Sequence, residues 1–357
     1  PGEATLLIEA AVLRASYDIA SKIAESGRVT FTQLSDDRSF NCFVASCMYS
    51  LEDAGLAFFE GDGWSVPSEC DLPDFEALFR AACQRFPERV VEIVLVGNVY
   101  QEALERLANG FSGVSAGNRP RFLSEATLDH VRHDMPVGRL QRRLLIDGLV
   151  QMLRDIKPGS GCTILEAGAL SVAFSTVLAD IAVQKGGRLV IVEPSDPLRK
   201  TLQLAFEGNP AVSVFASDTE TMEAPADIAV TAGGALFANL QGSSPLKDTL
   251  RKIGNAGGFL VAVEPAPSTV ADFIFGLTDN WFAQSASPEF PLGRYASPSQ
   301  WKDLLEELGF SDGKAELEST SEGSLISIQA RGQAVETESA PSAPVSRPVL
   351  QILDDDD

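Results

Sequence analysis

The chain has 357 residues, of which 45% are apolar and 22% are charged. These values are ordinary for a globular protein, and the length corresponds to about two domains. The formal net charge is −22, so the chain repels phosphate backbones and anionic lipid heads, and we expect neither nucleic acid nor a membrane as a partner. No apolar run approaches the ~20 residues that a membrane-spanning helix needs.

The five cysteines are odd in number, are widely spaced and form no C-x-x-C pair. This pattern argues against a disulfide framework and against a zinc site, so we expect no metal. It is typical of proteins in a reducing compartment, and it predicts a cytoplasmic location.

The first part of the chain, residues 1–157, is predicted to be a mainly helical lid. Apolar residues recur at helical spacing in five segments, and the predicted helices cover 6–24, 43–54, 72–85, 87–107 and 137–157. Two short strands flank a Gly-rich turn at 60–63. The order helix, helix, hairpin predicts a winged-helix-like unit, for which a packing role is favoured over DNA binding because the chain is acidic.

The second part, residues 158–331, alternates strands and helices. Strands are predicted at 162–166, 188–193, 212–215, 227–231 and 258–264, and an antiparallel pair at 314–318 and 324–329. This alternation predicts an α/β fold with a Rossmann-like, mostly parallel seven-stranded sheet and one reversed strand. That is the plan of a class I S-adenosylmethionine methyltransferase, although other nucleotide-binding α/β domains are the alternative. Residues 332–357 are predicted to be a linker or tail.

The loop after the first of these strands has the sequence EAGALSV at 166–172. The methyltransferase version of this loop has an acidic residue followed by glycine at every second position. Glu166 and Gly168 fit, but Leu170 and Val172 stand at the second and third glycine positions. We expect their side chains to point to where methionine and ribose would lie; the alternative is a displaced loop that still binds cofactor.

Two further acidic residues follow the next two strands. Glu193 is placed to accept the ribose hydroxyls, and Asp218 is placed to meet an adenine amino group. Both residue types are also common in turns and helix caps, so each is a weak indication by itself. Because the glycines are missing, we interpret the site as degenerate.

Several segments carry a more specific similarity. The chain resembles the C-methyltransferase domain of modular polyketide synthases over nearly its whole length, up to about Arg331. The matching motifs are FIFGLTDNWF at 273–282, FPL at 290–292, SPSQW at 297–301, LGF at 308–310, LEDAGL at 51–56, GWSV at 63–66, FPE at 86–88, Gly159 and ILE at 164–166.

The resemblance implies methylation of the α-carbon between a ketone and a thioester on an acyl carrier protein. In that family a histidine, partnered by a glutamate, removes the α-proton. Glu264 matches the partner glutamate, but Phe237 occupies the position of the histidine and cannot accept a proton. We expect Leu170, Val172 and Phe237 to fill the cleft.

The lid offers other candidate residues. Of the two histidines, His130 and His133, the second is a candidate replacement base, and the alternative is that both are solvated beside Asp134. Four arginines either pair with carboxylates along their helix or dock a phosphopantetheine phosphate or an acidic carrier protein. They are Arg132, Arg139, Arg142 and Arg143, of which the first and third replace a tyrosine and an asparagine of the family.

Taken with the resemblance, these residues predict a non-catalytic pseudo-C-methyltransferase domain of a polyketide synthase. It would be structural or associated with the carrier protein, and it would bind no cofactor. Its predicted partners are neighbouring synthase domains and the acyl carrier protein. One alternative is an active S-adenosylmethionine-dependent C-methyltransferase that acts on a β-ketoacyl thioester. Another is a repurposed cleft that acts on an acyl thioester without this cofactor, with Glu264 as a base.

Overall fold

The computed structural model describes residues 2–30, 37–109, 122–124, 127, 130–131, 135–154, 161–216, 226–231, 236–241, 244–278 and 280–334. The strands are β1 (Arg28–Thr30), β2 (Phe58–Glu60), β3 (Gly63–Ser65), β4 (Thr163–Ala167), β5 (Arg188–Val192), β6 (Val212–Phe215), β7 (Ile228–Thr231), β8 (Phe259–Pro265), β9 (Asp312–Ser319) and β10 (Ser324–Arg331). The helices are α1 (Glu3–Ile23), α2 (Arg38–Asp53), α3 (Phe75–Arg85), α4 (Val90–Ala108), α5 (Pro136–Leu153), α6 (Val172–Gln184), α7 (Asp196–Ala205), α8 (Leu236–Asn239), α9 (Pro245–Asn255), α10 (Thr269–Phe275) and α11 (Pro298–Glu307).

The C-terminal strands form one mixed sheet of seven described strands. Their order is β6-β5-β4-β7-β8-β10-β9. Neighbouring strands from β6 to β8 pair in parallel, whereas β10 pairs antiparallel with both β8 and β9. The sequence pattern predicted one reversed strand, and the structure shows that it is β10. The carboxyl ends of the parallel strands meet at one edge.

The N-terminal helices surround a small antiparallel sheet. Its strand order is β1-β3-β2, and Trp64 in β3 is fully buried. The predicted helix–helix–hairpin order is present, with β1 as an additional strand that the apolar pattern did not predict. Asp37 caps α2 by accepting hydrogen bonds from the backbone N–H groups of Ser39 and Phe40.

Helix α5 lies against the large sheet. Gly148 packs on it so closely that a Cβ would stand 3.0 Å from a methyl carbon of Val261 in β8. From the same helix, the buried Gln141 donates from Nε2 to the Val263 carbonyl oxygen at 2.6 Å. Although α5 lies before the expected boundary at residue 157, it covers the sheet that the later residues form.

Helix α10 belongs to the C-terminal part of the chain but packs in the core of the N-terminal helices. It follows β8 in sequence, yet Phe273 packs in the core of the N-terminal helices, with its ring 5.4 Å from that of Phe43 in α2. Trp281, just after α10, joins the same core and donates from Nε1 to Asp272 Oδ1 at 2.8 Å. The division at residue 157 stays a prediction, since each part contributes a helix to the other's core.

Within the described residues, no helix is long and apolar enough to cross a membrane. All five cysteines are free thiols. Cys42, Cys47 and Cys162 are buried among apolar side chains, and Cys70 and Cys83 are partly buried.

A glycine in α9 allows α9 and the end of α11 to pack closely against each other. Gly254 in α9 is buried, and a Cβ there would overlap the Leu308 carbonyl oxygen at the end of α11. We expect Gly254→Ala to lower the free energy of unfolding by about 1–3 kcal/mol, because the clash is with backbone. Urea denaturation measures this. Lys252→Ala, at an exposed site on the same helix, should change stability by less than ~0.5 kcal/mol, and equal effects of the two would contradict the prediction.

Candidate functional site

Three buried glutamates lie at the carboxyl edge of the parallel strands. Glu166 is in β4, Glu193 follows β5 directly, and Glu264 is the penultimate residue of β8. Their exposed fractions are 1%, 4% and 2%. In open α/β sheets this edge is where ligands bind, so these side chains define the candidate site.

Gly168, in the loop directly after β4, leaves space beside the backbone in which a ligand could lie. Its φ is +78°, a left-handed conformation that favours glycine, and no atom lies within 4 Å of where a Cβ would stand. Its N–H donates to the Val192 carbonyl oxygen at 2.8 Å, which ties the loop to the end of β5.

Leu170 and Val172, which stand at the two positions where glycine was expected, pack in the apolar core beside the sheet. Leu170 is 3% exposed and belongs to the apolar core between the sheet, α5 and α6. Val172, at the start of α6, is partly buried and packs against the same core. Phe237 packs in a different core, so these three residues are not brought together, and that they fill the cleft stays a prediction.

Both carboxylate oxygens of Glu193 are engaged by backbone. Oε2 accepts from Ala169 N–H at 2.8 Å, and Oε1 accepts from Ser195 N–H at 2.6 Å. The first donor lies in the loop after β4 and the second at the N-terminus of α7. The side chain predicted to bind ribose hydroxyls therefore binds the chain's own loops.

The carboxylate of Glu166 has fewer hydrogen-bond partners than that of Glu193. Its Oε1 accepts from Leu170 N–H at 3.3 Å, whereas Oε2 is buried and has no hydrogen-bond partner. Burial, with a smaller contribution from the charge of Glu193, raises the pKa of this carboxyl from 4.5 to about 7. A buried carboxylate with an unpaired oxygen costs stability, so packing alone does not explain it.

Glu264 and Phe237 meet at the short helix α8. Glu264 Oε2 accepts from the backbone N–H of Leu236 at 3.1 Å. The adjacent Phe237 side chain is partly buried, and its ring meets the Trp301 ring edge-on, with centroids 5.3 Å apart and planes at 68°. The position where the resemblance calls for a base is thus part of the apolar core.

Trp301 carries an unsatisfied donor next to Phe237. The side chain is fully buried, and its Nε1 has no hydrogen-bond partner. A capping box between Ser297 and Gln300 fixes the start of α11 and so holds Trp301 in place. Phe237 offers this indole only a ring, whereas a polar side chain could accept from it.

Several predicted residues lie outside the described part of the chain: Arg132, His133, Gly159 and Asp218. On α5, Arg139 and Arg143 are exposed and Arg142 is partly buried, and His130 is exposed. Whether the arginines dock a phosphate stays a prediction.

The backbone donors of Ala169 and Ser195 were not predicted, because every residue type except proline carries a backbone N–H group and no sequence pattern marks it. One signal was available for Ser195: Pro197 falls in the first turn of α7 and marks Ser195 as its N-cap. Over the described ranges, no three His, Cys, Asp or Glu side chains are grouped as a metal site requires.

The fold class raises the question of whether these residues fit S-adenosylmethionine. Gly168 leaves room for a ligand beside the backbone. The acidic acceptor for ribose does not fit, because Glu193 is 4% exposed and both of its oxygens already accept loop N–H groups. As the loops stand, neither Glu166 nor Glu193 offers the ribose an accessible carboxylate.

No protein-family model and no curated protein matches the chain. It shares its fold with the CurJ carbon methyltransferase, at 16% identity and a TM-score of 0.68 over 92% of each chain. The CMeT domain of the citrinin polyketide synthase is 16% identical to this chain, with a TM-score of 0.67 over 92% of this chain and 89% of that one. The trans-methyltransferase CalH, solved in complex with SAH, is 16% identical to this chain. Its TM-score is 0.59, over 93% of this chain and 92% of that one.

At these identities the similarity establishes the fold. The chain has the class I S-adenosylmethionine methyltransferase fold, in the form found in C-methyltransferase domains of polyketide synthases. The predicted fold class is confirmed.

We expect Glu166→Gln to stabilise the chain at alkaline pH. Since folding raises the pKa of Glu166 from 4.5 to about 7, its contribution to stability falls as the pH rises through that interval and stays low above it. The shift corresponds to about 3 kcal/mol at most. Urea denaturation should show the variant more stable than the unsubstituted chain at pH 8 and similar to it near pH 4.5. A difference independent of pH would contradict this assignment.

Phe237→Ala should lower the free energy of unfolding by about 1–3 kcal/mol, because it removes a partly buried ring that packs on Trp301. The matched control is Phe290→Ala, at a residue that is 66% exposed, for which we expect a change below ~0.5 kcal/mol. Thermal or urea unfolding compares the two. Equal effects would mean that Phe237 is not part of the core.

Proposed function

We propose that this chain is a non-catalytic, methyltransferase-like domain of a polyketide synthase. The observation that carries the proposal is Phe237. It stands where the resemblance calls for the base, has no group that can accept a proton, and packs against Trp301. Loss of a general base typically slows a reaction by about 10²–10⁴-fold.

The state of Glu264 supports the same proposal. With Phe237 in place, this carboxylate accepts from the Leu236 backbone N–H, and a phenylalanine gives it no imidazole to orient. The engaged carboxylate of Glu193 is a second, independent support, because it concerns cofactor binding and not proton transfer.

In this role the domain acts as a spacer or carrier-protein neighbour within a larger assembly. We propose neighbouring synthase domains and the acyl carrier protein as its partners, in the cytoplasm. Such a role requires a stable fold with an acidic, soluble surface, and it requires no turnover.

The second candidate function is S-adenosylmethionine-dependent methylation of the α-carbon of a β-ketoacyl thioester. It is favoured by the open backbone at Gly168 and by the retention of Glu264. In this case the loop after β4 must rearrange to free Glu193. The base would come from another residue, with His133 and Glu264 as the first to test.

Calorimetric titration of the chain with S-adenosylmethionine and with S-adenosylhomocysteine separates the two functions. We expect no binding heat up to millimolar ligand, since the ribose acceptor is engaged. Micromolar affinity, worth about 8 kcal/mol, would overturn the proposed loss of the cofactor site. It would then direct the search to a replacement base.

A further inference from the structure

We infer that Glu193 is an internal clasp: its carboxylate joins the loops after β4 and β5 and holds the cleft closed to a nucleotide-type ligand. The inference deepens the proposed function and rests on it for the statement that the closed cleft is the working state. It assigns Glu193 a conformational role in place of ligand binding.

The first argument is geometric. The carboxylate accepts two backbone N–H groups, one per oxygen, at 2.8 and 2.6 Å from Ala169 and Ser195. Both distances are at the short end for N–H···O bonds, as expected for a charged acceptor. A ligand hydroxyl that took either oxygen in the same direction would have to displace a backbone donor.

The second argument concerns where the clasp sits. The backbone N–H of Glu193 donates to the Phe215 carbonyl oxygen of β6 at 3.0 Å, and the neighbouring Val192 carbonyl accepts from Gly168 N–H at 2.8 Å. Glu193 therefore connects the ends of three parallel strands. Gly168 and Ala169 are bound side by side to Val192 and Glu193, so the loop after β4 is fastened to β5 at two consecutive residues.

The third argument is electrostatic. Ser195 is the N-cap of α7, and a negative charge is favoured at a helix N-terminus. The Arg199 Nη1 also donates to the Glu193 main-chain oxygen at 3.1 Å, which brings a cation near the buried carboxylate. The carboxylate of Glu193 is thus held in place from both the loop and the helix.

Hydrogen exchange measured by mass spectrometry on the full chain tests the clasp. In Glu193→Gln the amide has one acceptor atom, and its NH₂ group faces one of the two backbone donors. We expect peptides that cover 166–172 and 193–197 to exchange about tenfold faster or more, while a peptide from α2 is unchanged. Glu166→Gln is the matched control for the 193–197 peptide, whose exchange we expect to stay unchanged, because Glu166 accepts from Leu170 in the loop after β4 and from no donor near Ser195.

Ser195→Pro tests the same contact without changing charge, and it covers the case in which Glu193→Gln does not fold. Ser195 has φ −70°, which proline adopts, so the variant removes the donor to Oε1 and places the ring carbon Cδ against that oxygen, which forces the carboxylate away from residue 195. We expect faster exchange in the 166–172 peptide, by a smaller factor than in Glu193→Gln. Unchanged exchange of that peptide in the folded variants would overturn the clasp.

Titration with S-adenosylhomocysteine distinguishes failure of the clasp from failure of the proposed function. If the unsubstituted chain binds this ligand and Glu193→Gln does not, Glu193 is a ligand acceptor and both inferences fail. If neither binds and exchange is unchanged, only the clasp fails. Binding that appears in Glu193→Gln alone supports a clasp that keeps the cleft closed.

Discussion

Backbone N–H groups that leave the carboxyl edge of the parallel sheet need acceptors, and buried glutamates supply them at three places. Glu166 accepts from the loop after β4, Glu193 from the loops after β4 and β5, and Glu264 from the start of α8 after β7. An unpaired backbone donor in such a place would cost about as much as a lost hydrogen bond. The conformation of the whole edge depends on these carboxylates.

The same carboxylates occupy the edge where ligands bind in open α/β sheets, and they are engaged by the chain's own backbone. Acidic side chains at strand ends suit hydroxyl and amino groups of a nucleotide, but here each is turned toward its own backbone. Of the three glutamates, Glu166 is the one with a buried oxygen that has no hydrogen-bond partner. The edge therefore carries acidic side chains at the strand ends, and those of Glu193 and Glu264 accept hydrogen bonds from the chain's own backbone.

Sequence reasoning predicted the elements whose pattern is strong. The strand at 212–215 was predicted with the bounds that the structure gives it, and the strand predicted at 188–193 differs by one residue at its end. Strand β1 and the four-residue helix α8 were not predicted, since segments so short carry no periodicity.

In the candidate site, some features could be predicted from the sequence and others could not. The positions of Glu166, Glu193 and Glu264 follow from strand ends, which the sequence marks. Their hydrogen-bond partners do not, because the donors are backbone groups of loops whose paths depend on tertiary packing. The burial of Leu170 in the core of α5 and α6 could not be foreseen either, since a loop residue's direction is set by neighbours distant in sequence.

The crossing of α10 into the N-terminal core has a consequence for how the chain assembles. Phe273 and Trp281 complete a core to which α1 to α4 and the small antiparallel sheet also contribute, so during synthesis those elements emerge long before their core can close. Contacts between residues so far apart in sequence are costly to form and slow folding. We therefore expect the N-terminal helices alone to behave as an incomplete unit, and a cut between the two parts would expose the ring of Phe43 that α10 covers.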